Sequence, residues 1–261
     1  MTDKILVHDE GAVRDVRISN PSKRNALTRE LLADLSRALP SSQAGPDQPI
    51  RVVILRGDPA GSAFSSGFDI GAIDDKERER GLDPICEPAD ALERCPVPVI
   101  AALDGPAFGG GLEIAMACDL RVARAGTKLC MPPARLGLVY SATGLQRFLR
   151  AAGPSACKRL FLTGEPVLAD EAVRFGLVDV VVHQGSAFDA ARAWAERIAE
   201  NAPLAVTGLL DAIRRLSRPG GPDDGDFAAI AEARERTVSS EDLQEGVLAF
   251  AEKRKPKFQG R

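Results

Sequence analysis

Short apolar runs alternate with amphipathic stretches through the first two-thirds of the chain. Six of these runs are rich in β-branched residues and bounded by Gly, Pro or Asp, which is typical of strands. The predicted strands cover 5–7, 13–18, 52–55, 97–103, 120–123 and 178–182. Leucines recur at helical spacing over 27–39 and predict a helix with Thr28 as its N-cap. Further helices are predicted near 111–117, 144–151, 155–162 and 169–174. This alternation predicts the α/β fold class.

The pattern changes near residue 187, after which no strand is predicted. Helical spacing covers 190–199, 204–216, 227–238 and 243–253. Ser239 and Asp242 resemble the capping box that starts a helix, here the last one. We therefore predict a core over 1–195 and a helical C-terminal segment over 196–261.

One earlier stretch, 74–90, follows neither pattern. It begins with dense charge and continues with Gly81, Pro84 and Pro88. Such a composition predicts a solvated surface loop, with the wall of a ligand pocket as the functional alternative.

Composition narrows the classes of function. The 261 residues have a formal net charge of −3, which disfavours binding to nucleic acid or to an anionic membrane surface. No apolar stretch reaches the roughly 18 residues that span a bilayer. Five cysteines without C-x-x-C spacing indicate reduced thiols and a cytoplasmic location. With only His8 and His183 present, a histidine-based triad is disfavoured and no metal site is predicted.

Two turn-like segments contain candidate binding groups. The first, 20–27, begins with an Asn-Pro turn signal and places Lys23 and Arg24 where they could meet phosphates. The second, 63–70, contains Gly67, whose backbone freedom could leave the N–H of Phe68 directed at a ligand. Taken singly, each segment is better explained as a tight turn.

A glycine-rich segment, 104–113, joins a predicted strand to a helix that begins near Gly110. The N–H groups of a first helical turn favour a bound anion there. A phosphate loop is the rival interpretation, although the Lys-Ser/Thr pair of a nucleotide P-loop is absent. Glu113 could serve the helix dipole or act as a general acid/base. Tyr140, the only tyrosine, could be a core residue or a proton donor.

In this order and spacing, the segments 20–27, 63–70, 104–113 and 132–140 resemble the crotonase superfamily, also called the enoyl-CoA hydratase/isomerase family. The resemblance covers nearly the whole chain, from Arg17 to Phe258. It implies a spiral of ββα units followed by a helical segment used in trimerisation. It also implies a homotrimer or a hexamer made of two trimers.

The resemblance also implies a site. The backbone N–H groups of Phe68 and Gly110 would form an oxyanion hole that stabilises a thioester enolate. Coenzyme A would enter as part of an acyl-CoA thioester, with no prosthetic group. Its implied contacts in one subunit are Lys23, Arg24, Ala26, Ser66, Asp69 and Ile70. Phe250 and Lys253 of a neighbouring subunit would complete the coenzyme A contacts.

The chain departs from the pattern of the family's two-glutamate hydratases. Glu113 matches their first acid/base, but Pro133 stands at the position of the second. An enoyl-CoA hydratase-type enzyme is our nominal prediction, with Tyr140 as hydrogen-bond donor or proton source. A decarboxylase resembling methylmalonyl-CoA decarboxylase is the enzymatic alternative, although the histidine of those enzymes is Phe68 here. An enoyl-CoA isomerase and a non-catalytic acyl-CoA binder remain further alternatives.

Overall fold

The computed structural model describes residues 3–41, 49–69, 71 and 83–261. Strands and helices alternate until about residue 182, and the elements that follow are all helices. The strands are β1 (Lys4–Glu10), β2 (Val13–Ser19), β3 (Val52–Gly57), β4 (Val99–Leu103), β5 (Ala107–Phe108), β6 (Leu120–Arg124), β7 (Lys128–Cys130), β8 (Val167–Leu168) and β9 (Val180–Val182). The α-helices are α1 (Arg29–Ala38), α2 (Cys86–Glu93), α3 (Gly110–Ala117), α4 (Ala142–Thr163), α5 (Ala169–Ala172), α6 (Ala187–Ala199), α7 (Pro203–Leu216), α8 (Asp224–Val238) and α9 (Glu241–Ala251).

A six-stranded sheet with the order β1-β2-β3-β4-β6-β9 forms the centre of the molecule. The first two strands are antiparallel, and every later neighbour pair is parallel. Strands β3 and β4 are buried on both faces, which explains their nearly continuous apolar sequence. The predicted α/β class is confirmed. Three strands of two or three residues, β5, β7 and β8, form a second sheet that the sequence did not predict.

Helices cover the two faces of the central sheet. On one face, α6 packs Ala187, Ala191 and Ala195 against the sheet, and small side chains at this helical spacing allow a close approach. On the other face, α1 to α4 enclose the main core. The division at 195/196 falls inside α6, so we move the proposed boundary to the turn after Ala199. The two-part organisation itself stays a proposal.

The last three helices carry many exposed apolar side chains. Among them are Leu209, Ile213, Phe227, Val247 and Phe250. Trimerisation through this segment remains an expectation.

The cap predicted for the last helix is wrong by one residue. Ser240, rather than Ser239, is the N-cap of α9, and its hydroxyl accepts the N–H of Leu243. Ser239 instead ends α8. The carboxylate of Asp242 accepts the backbone N–H groups of Gln259 and Gly260, so it anchors the tail and does not cap the helix.

One other prediction needs correction. Within 74–90, only 83–90 lies in the described residues, and most of that part belongs to α2. Ala89 and Leu92 of α2 are buried in the core, and Pro88 is tolerated because it lies in the first turn.

The division predicted between the helices 144–151 and 155–162 is confirmed. Gly153 interrupts α4 with a non-helical φ of 72° and separates its two halves.

Among the described residues, no helix combines the length and the apolarity needed to cross a membrane.

Candidate active site

Hydrogen bonds of the Asn25 side chain hold the segment 20–27 in its conformation. Asn25 is fully buried in the left-handed region, with a φ of 56°. Its side-chain Nδ2 donates to the carbonyl oxygens of Asp58 (2.9 Å) and Ala63 (2.7 Å), and its Oδ1 accepts the N–H of Asn20 (3.1 Å). The bond to Ala63 fastens the segment to the start of 63–70, the bond to Asp58 ties it to the end of β3, and the bond from Asn20 closes the segment on itself. Asn25 therefore has a structural role beyond forming a turn.

Replacing Asn25 with alanine is expected to destabilise the protein by about 3 kcal/mol, because the buried carbonyl of Ala63 and the buried N–H of Asn20 lose their partners and the carbonyl of Asp58 keeps only the N–H of Gly61. Urea unfolding followed by circular dichroism measures this loss. The exposed Asn201 provides the control, since Asn201→Ala removes an amide from the surface. Equal stability of the two variants would contradict the anchoring role of Asn25.

Two backbone N–H groups lie side by side where 63–70 passes the start of α3. A parallel β-bridge joins Leu27 to Phe68. The N–H of Leu27 donates to the carbonyl of Gly67, and the N–H of Asp69 donates to the carbonyl of Leu27. The N–H of Phe68 therefore points away from Leu27. A β-carbon built on Gly110 would lie 3.6 Å from the nitrogen of Phe68, and one built on Gly67 would lie 3.6 Å from the nitrogen of Gly110. Within the described part of the chain, neither N–H has an acceptor. No acceptor in the described residues therefore competes with a ligand for either donor.

Glycines create this arrangement. Gly67 has a φ of 99° and Gly109 a φ of 51°, which are conformations that side chains disfavour. A β-carbon on Gly67 would also lie 2.8 Å from the carbonyl oxygen of Phe108. The close contact between the two segments thus requires the absence of a side chain at Gly67, whereas Gly109 is needed only for its backbone conformation, because no atom lies within 4 Å of the β-carbon it would carry.

Glu113 lies one turn into α3 and is completely buried. Its Oε2 accepts a short hydrogen bond from the Tyr140 hydroxyl, and its Oε1 accepts a 2.7 Å bond from Nη1 of Arg147. A carboxylate that serves only the helix dipole has no need of these two donors. The structure therefore groups Glu113 with Tyr140, as the sequence suggested, and adds an arginine that the sequence alone did not indicate.

The Tyr140 ring is half-buried between α4 and the main core. It packs edge-on against Phe161 at a centroid distance of 5.5 Å. A β-carbon at Gly144 would come within 2.5 Å of the ring, so that glycine makes room for it. Tyr140 is both a packing residue and a hydrogen-bond donor to Glu113, as expected of a core residue with a satisfied hydroxyl. Its role as a proton donor stays a proposal.

Burial determines the protonation of this pair. Desolvation raises the pKa of Glu113; the hydrogen bond from Tyr140 and the charge of Arg147 oppose this rise, and the charge of Asp83 adds to it. Desolvation, followed by the charge of Glu113, raises the pKa of Tyr140 well above its usual value. Tyr140 therefore keeps its proton at neutral pH and can act as a donor.

Most of the residues implied to contact coenzyme A lie together beside the amide pair. Lys23 forms a 2.6 Å ion pair with Asp69, and the hydroxyl of Ser66 donates to the carbonyl of Lys23. The N–H of Ser66 donates to the carbonyl of Arg24, and the buried Ala26 follows two residues later along the same loop.

Three of the implied coenzyme A residues are not part of this group. Ile70 lies outside the described residues. Phe250, which is 87% exposed, and Lys253 lie at the end of α9, and no contact found among the described residues joins them to the site. Their role in a neighbouring subunit stays a proposal.

The sequence pattern around Arg147 could have predicted that this arginine is buried and paired. On α4, the residues Gly144, Arg147, Phe148 and Ala151 share one face, and the other three are small or apolar. A cation on such a face must find a partner when the face is buried. The partner, however, is distant in sequence, so the pattern alone could not have named Glu113.

Comparison with known proteins tests the family resemblance that the sequence showed. The family model described as enoyl-CoA hydratase/isomerase matches residues 8–261. The chain belongs to the enoyl-CoA hydratase/isomerase family. This membership makes it an acyl-CoA-processing protein of the crotonase superfamily, as the four segments predicted.

Individual relatives cover more than one reaction of the family. The chain is 34% identical to a short-chain-enoyl-CoA hydratase of Clostridium acetobutylicum, over 97% of this chain and 96% of that protein. It is 33% identical to a methylmalonyl-CoA decarboxylase of Escherichia coli, over 91% of each. A solved enoyl-CoA hydratase/carnithine racemase from Magnetospirillum magneticum superposes with a TM-score of 0.88 at 34% identity, over 100% of this chain and 97% of that one. The predicted crotonase fold is therefore confirmed.

Proposed function

We propose that the chain is an acyl-CoA enzyme of the enoyl-CoA hydratase type that stabilises a thioester enolate with the N–H groups of Phe68 and Gly110. The observation that supports this most directly is the side-by-side placement of these two donors, neither of which has an acceptor in the described residues. Two preorganised donors favour the negative charge that develops on the thioester oxygen as the enolate forms.

A single carboxylate can serve a complete hydration cycle in this geometry. Glu113 takes a proton from water as the water oxygen bonds to the β-carbon of a 2-enoyl thioester. The electron pair of the double bond moves through the α-carbon onto the thioester oxygen. Tyr140 then gives its proton to the α-carbon, and the proton on Glu113 returns to Tyr140 along their hydrogen bond. One water is added and both side chains regain their starting state, so no carboxylate is required at position 133.

Decarboxylation of a malonyl-type thioester is the second candidate. The buried Pro133 begins a short 3-10 helix at the position of the second glutamate and contributes no titratable group. Loss of CO2 leaves its electron pair on the α-carbon, and the same amide pair would stabilise the resulting enolate without any base. Protonation by Tyr140, which solvent then reprotonates, would complete that reaction.

A panel of 2-enoyl, 3-enoyl and malonyl-type coenzyme A thioesters tests these assignments. We expect turnover of the 2-enoyl members, measured as loss of the conjugated enoyl absorbance. We also expect a decrease in kcat of about 100-fold or more in Tyr140→Phe, because the proton donor is lost. CO2 release from malonyl-type members alone would favour the second candidate. Coenzyme A binding without turnover on the whole panel would contradict both and indicate a binding protein.

A further inference from the structure

A buried guanidinium joins three helices behind the proposed acid/base pair. Arg147 of α4 has only 2% of its side chain exposed. Its Nη1 bonds Glu113 of α3, and its Nη2 contacts two carboxylates of α2, those of Asp90 and Glu93, the latter at 3.1 Å. Its Nε has no partner among the described residues. All of the polar contacts of this side chain are thus made by the two terminal nitrogens.

A purely structural role does not account for this arrangement. Asp90 and Glu93 are partly exposed, with 34% and 29% of their side chains accessible, and they would already neutralise Arg147 near the surface. Both also contact other arginines, Arg94 in the first case and Arg150 in the second. Extending the guanidinium to a fully buried carboxylate adds a desolvation cost that apolar packing would avoid. The contact with Glu113 therefore needs a separate explanation.

We propose that Arg147 is a positioning residue, which fixes one carboxylate oxygen of Glu113 so that the other oxygen stays in place to exchange a proton with the Tyr140 hydroxyl. The inference rests on the proposed function, in which Glu113 and Tyr140 exchange the proton. Because Nη1 bonds Oε1 and the tyrosine bonds Oε2, the two donors together select a single orientation of the carboxylate. The contacts with α2 hold the guanidinium in place from the opposite side.

The charges around Glu113 also support a positioning role for Arg147. The groups that act on Glu113 are the Tyr140 hydroxyl, the Arg147 guanidinium and the carboxylate of Asp83, which precedes α2. Asp90 and Glu93 contact Nη2 of Arg147, whereas Glu113 bonds Nη1. Burial and Asp83 raise the pKa of Glu113, and Arg147 is the only cation of the group that opposes them. Arg147 thus extends the pH range in which Glu113 is an ionised base.

Substitution at Arg147 tests the proposal. Arg147→Met is expected to lower kcat by about 100-fold through misplacement of the pair, with little change in KM. The acidic limb of its pH–rate profile should move to higher pH, because Glu113 protonates more readily. Arg147→Lys keeps a cation and should recover part of both effects. The matched control is Arg150→Gln, which removes a guanidinium from the same helix that also pairs with Glu93 but does not contact Glu113.

A titration of Glu113 separates this inference from the proposed function. The side-chain carboxyl carbons of glutamate are labelled with ¹³C, and the Glu113 signal is assigned by its loss in Glu113→Gln. The measurement needs no substrate, so it remains informative even if every thioester fails to turn over. We expect a higher pKa for Glu113 in Arg147→Met than in the parent, with Arg147→Lys between them. If Arg147→Met does not fold, the parent and Arg147→Lys decide the question. An unchanged pKa of Glu113, or an unchanged pH–rate profile in a folded variant, would overturn the proposal.

Discussion

Replacing Gly67 with alanine is expected to lower kcat/KM on any accepted thioester by about 100-fold to 1,000-fold, the effect of losing one oxyanion donor. The new β-carbon would lie 2.8 Å from the carbonyl oxygen of Phe108, a backbone atom that cannot rotate away. The chain must therefore shift at residue 68 and turn its N–H out of line with that of Gly110. Steady-state kinetics on the thioester panel measures the loss.

Gly11→Ala is the control for backbone strain. Gly11 also has a positive φ, 58°, but no atom lies within 4 Å of the position that its β-carbon would take, and it joins β1 to β2 on the far edge of the sheet. Both substitutions place alanine in a left-handed conformation, at a cost of about 1–2 kcal/mol each. We expect only Gly67→Ala to lose activity. If both variants lost activity equally, stability rather than the amide pair would explain the result.

Glu113→Gln is expected to lower kcat by about 10²-fold to 10⁴-fold, the range typical of lost general acid/base catalysis. The glutamine oxygen can accept from Arg147 while its amide nitrogen donates to the hydroxyl oxygen of Tyr140, so the packing of the ring is retained while the base is removed. Coenzyme A affinity should change little, because this side chain is fully buried and makes no contact with the ion pair of Lys23 and Asp69 that joins the two loops. Comparison of kcat with the dissociation constant for coenzyme A checks both statements.

The control for Glu113 is Glu87, an exposed carboxylate in the first turn of α2. Glu87→Gln removes the same charge from the start of a neighbouring helix. If the carboxylate at 113 only balanced the helix dipole, the two variants would lose similar, small amounts of stability and no activity. Full activity of Glu113→Gln on every substrate would remove this residue from the mechanism.

The main sheet was largely predictable because its strands are long enough to show an apolar pattern. The six predicted runs correspond to β1, β2, β3, β4, β6 and β9. Strands such as β5 and β8, with two residues each, contain no measurable periodicity, and only pairing with distant segments defines them. The prolines before and within 86–93 hid α2, whose helical state depends on burying Ala89 and Leu92.

The site was predictable where local chemistry determines it and not where the fold brings distant residues together. Glycines at 67 and 110 indicated exposed N–H groups because backbone freedom is a local property. The contact between these segments was inferred from the family resemblance, and the structure now places them side by side. The partners of Arg147 come from α2 and α3, up to 57 residues away, and no local pattern contains that information.

A crystal structure of the protein with an unreactive acyl-CoA thioester would show whether the two amides bind the thioester oxygen. We expect this oxygen to lie about 3 Å from the nitrogens of both Phe68 and Gly110, the geometry of an oxyanion hole. Glu113 and Tyr140 should flank the α-carbon and the β-carbon of the acyl group. A thioester oxygen that contacts neither nitrogen, in a site that the acyl group occupies fully, would contradict the proposed oxyanion hole.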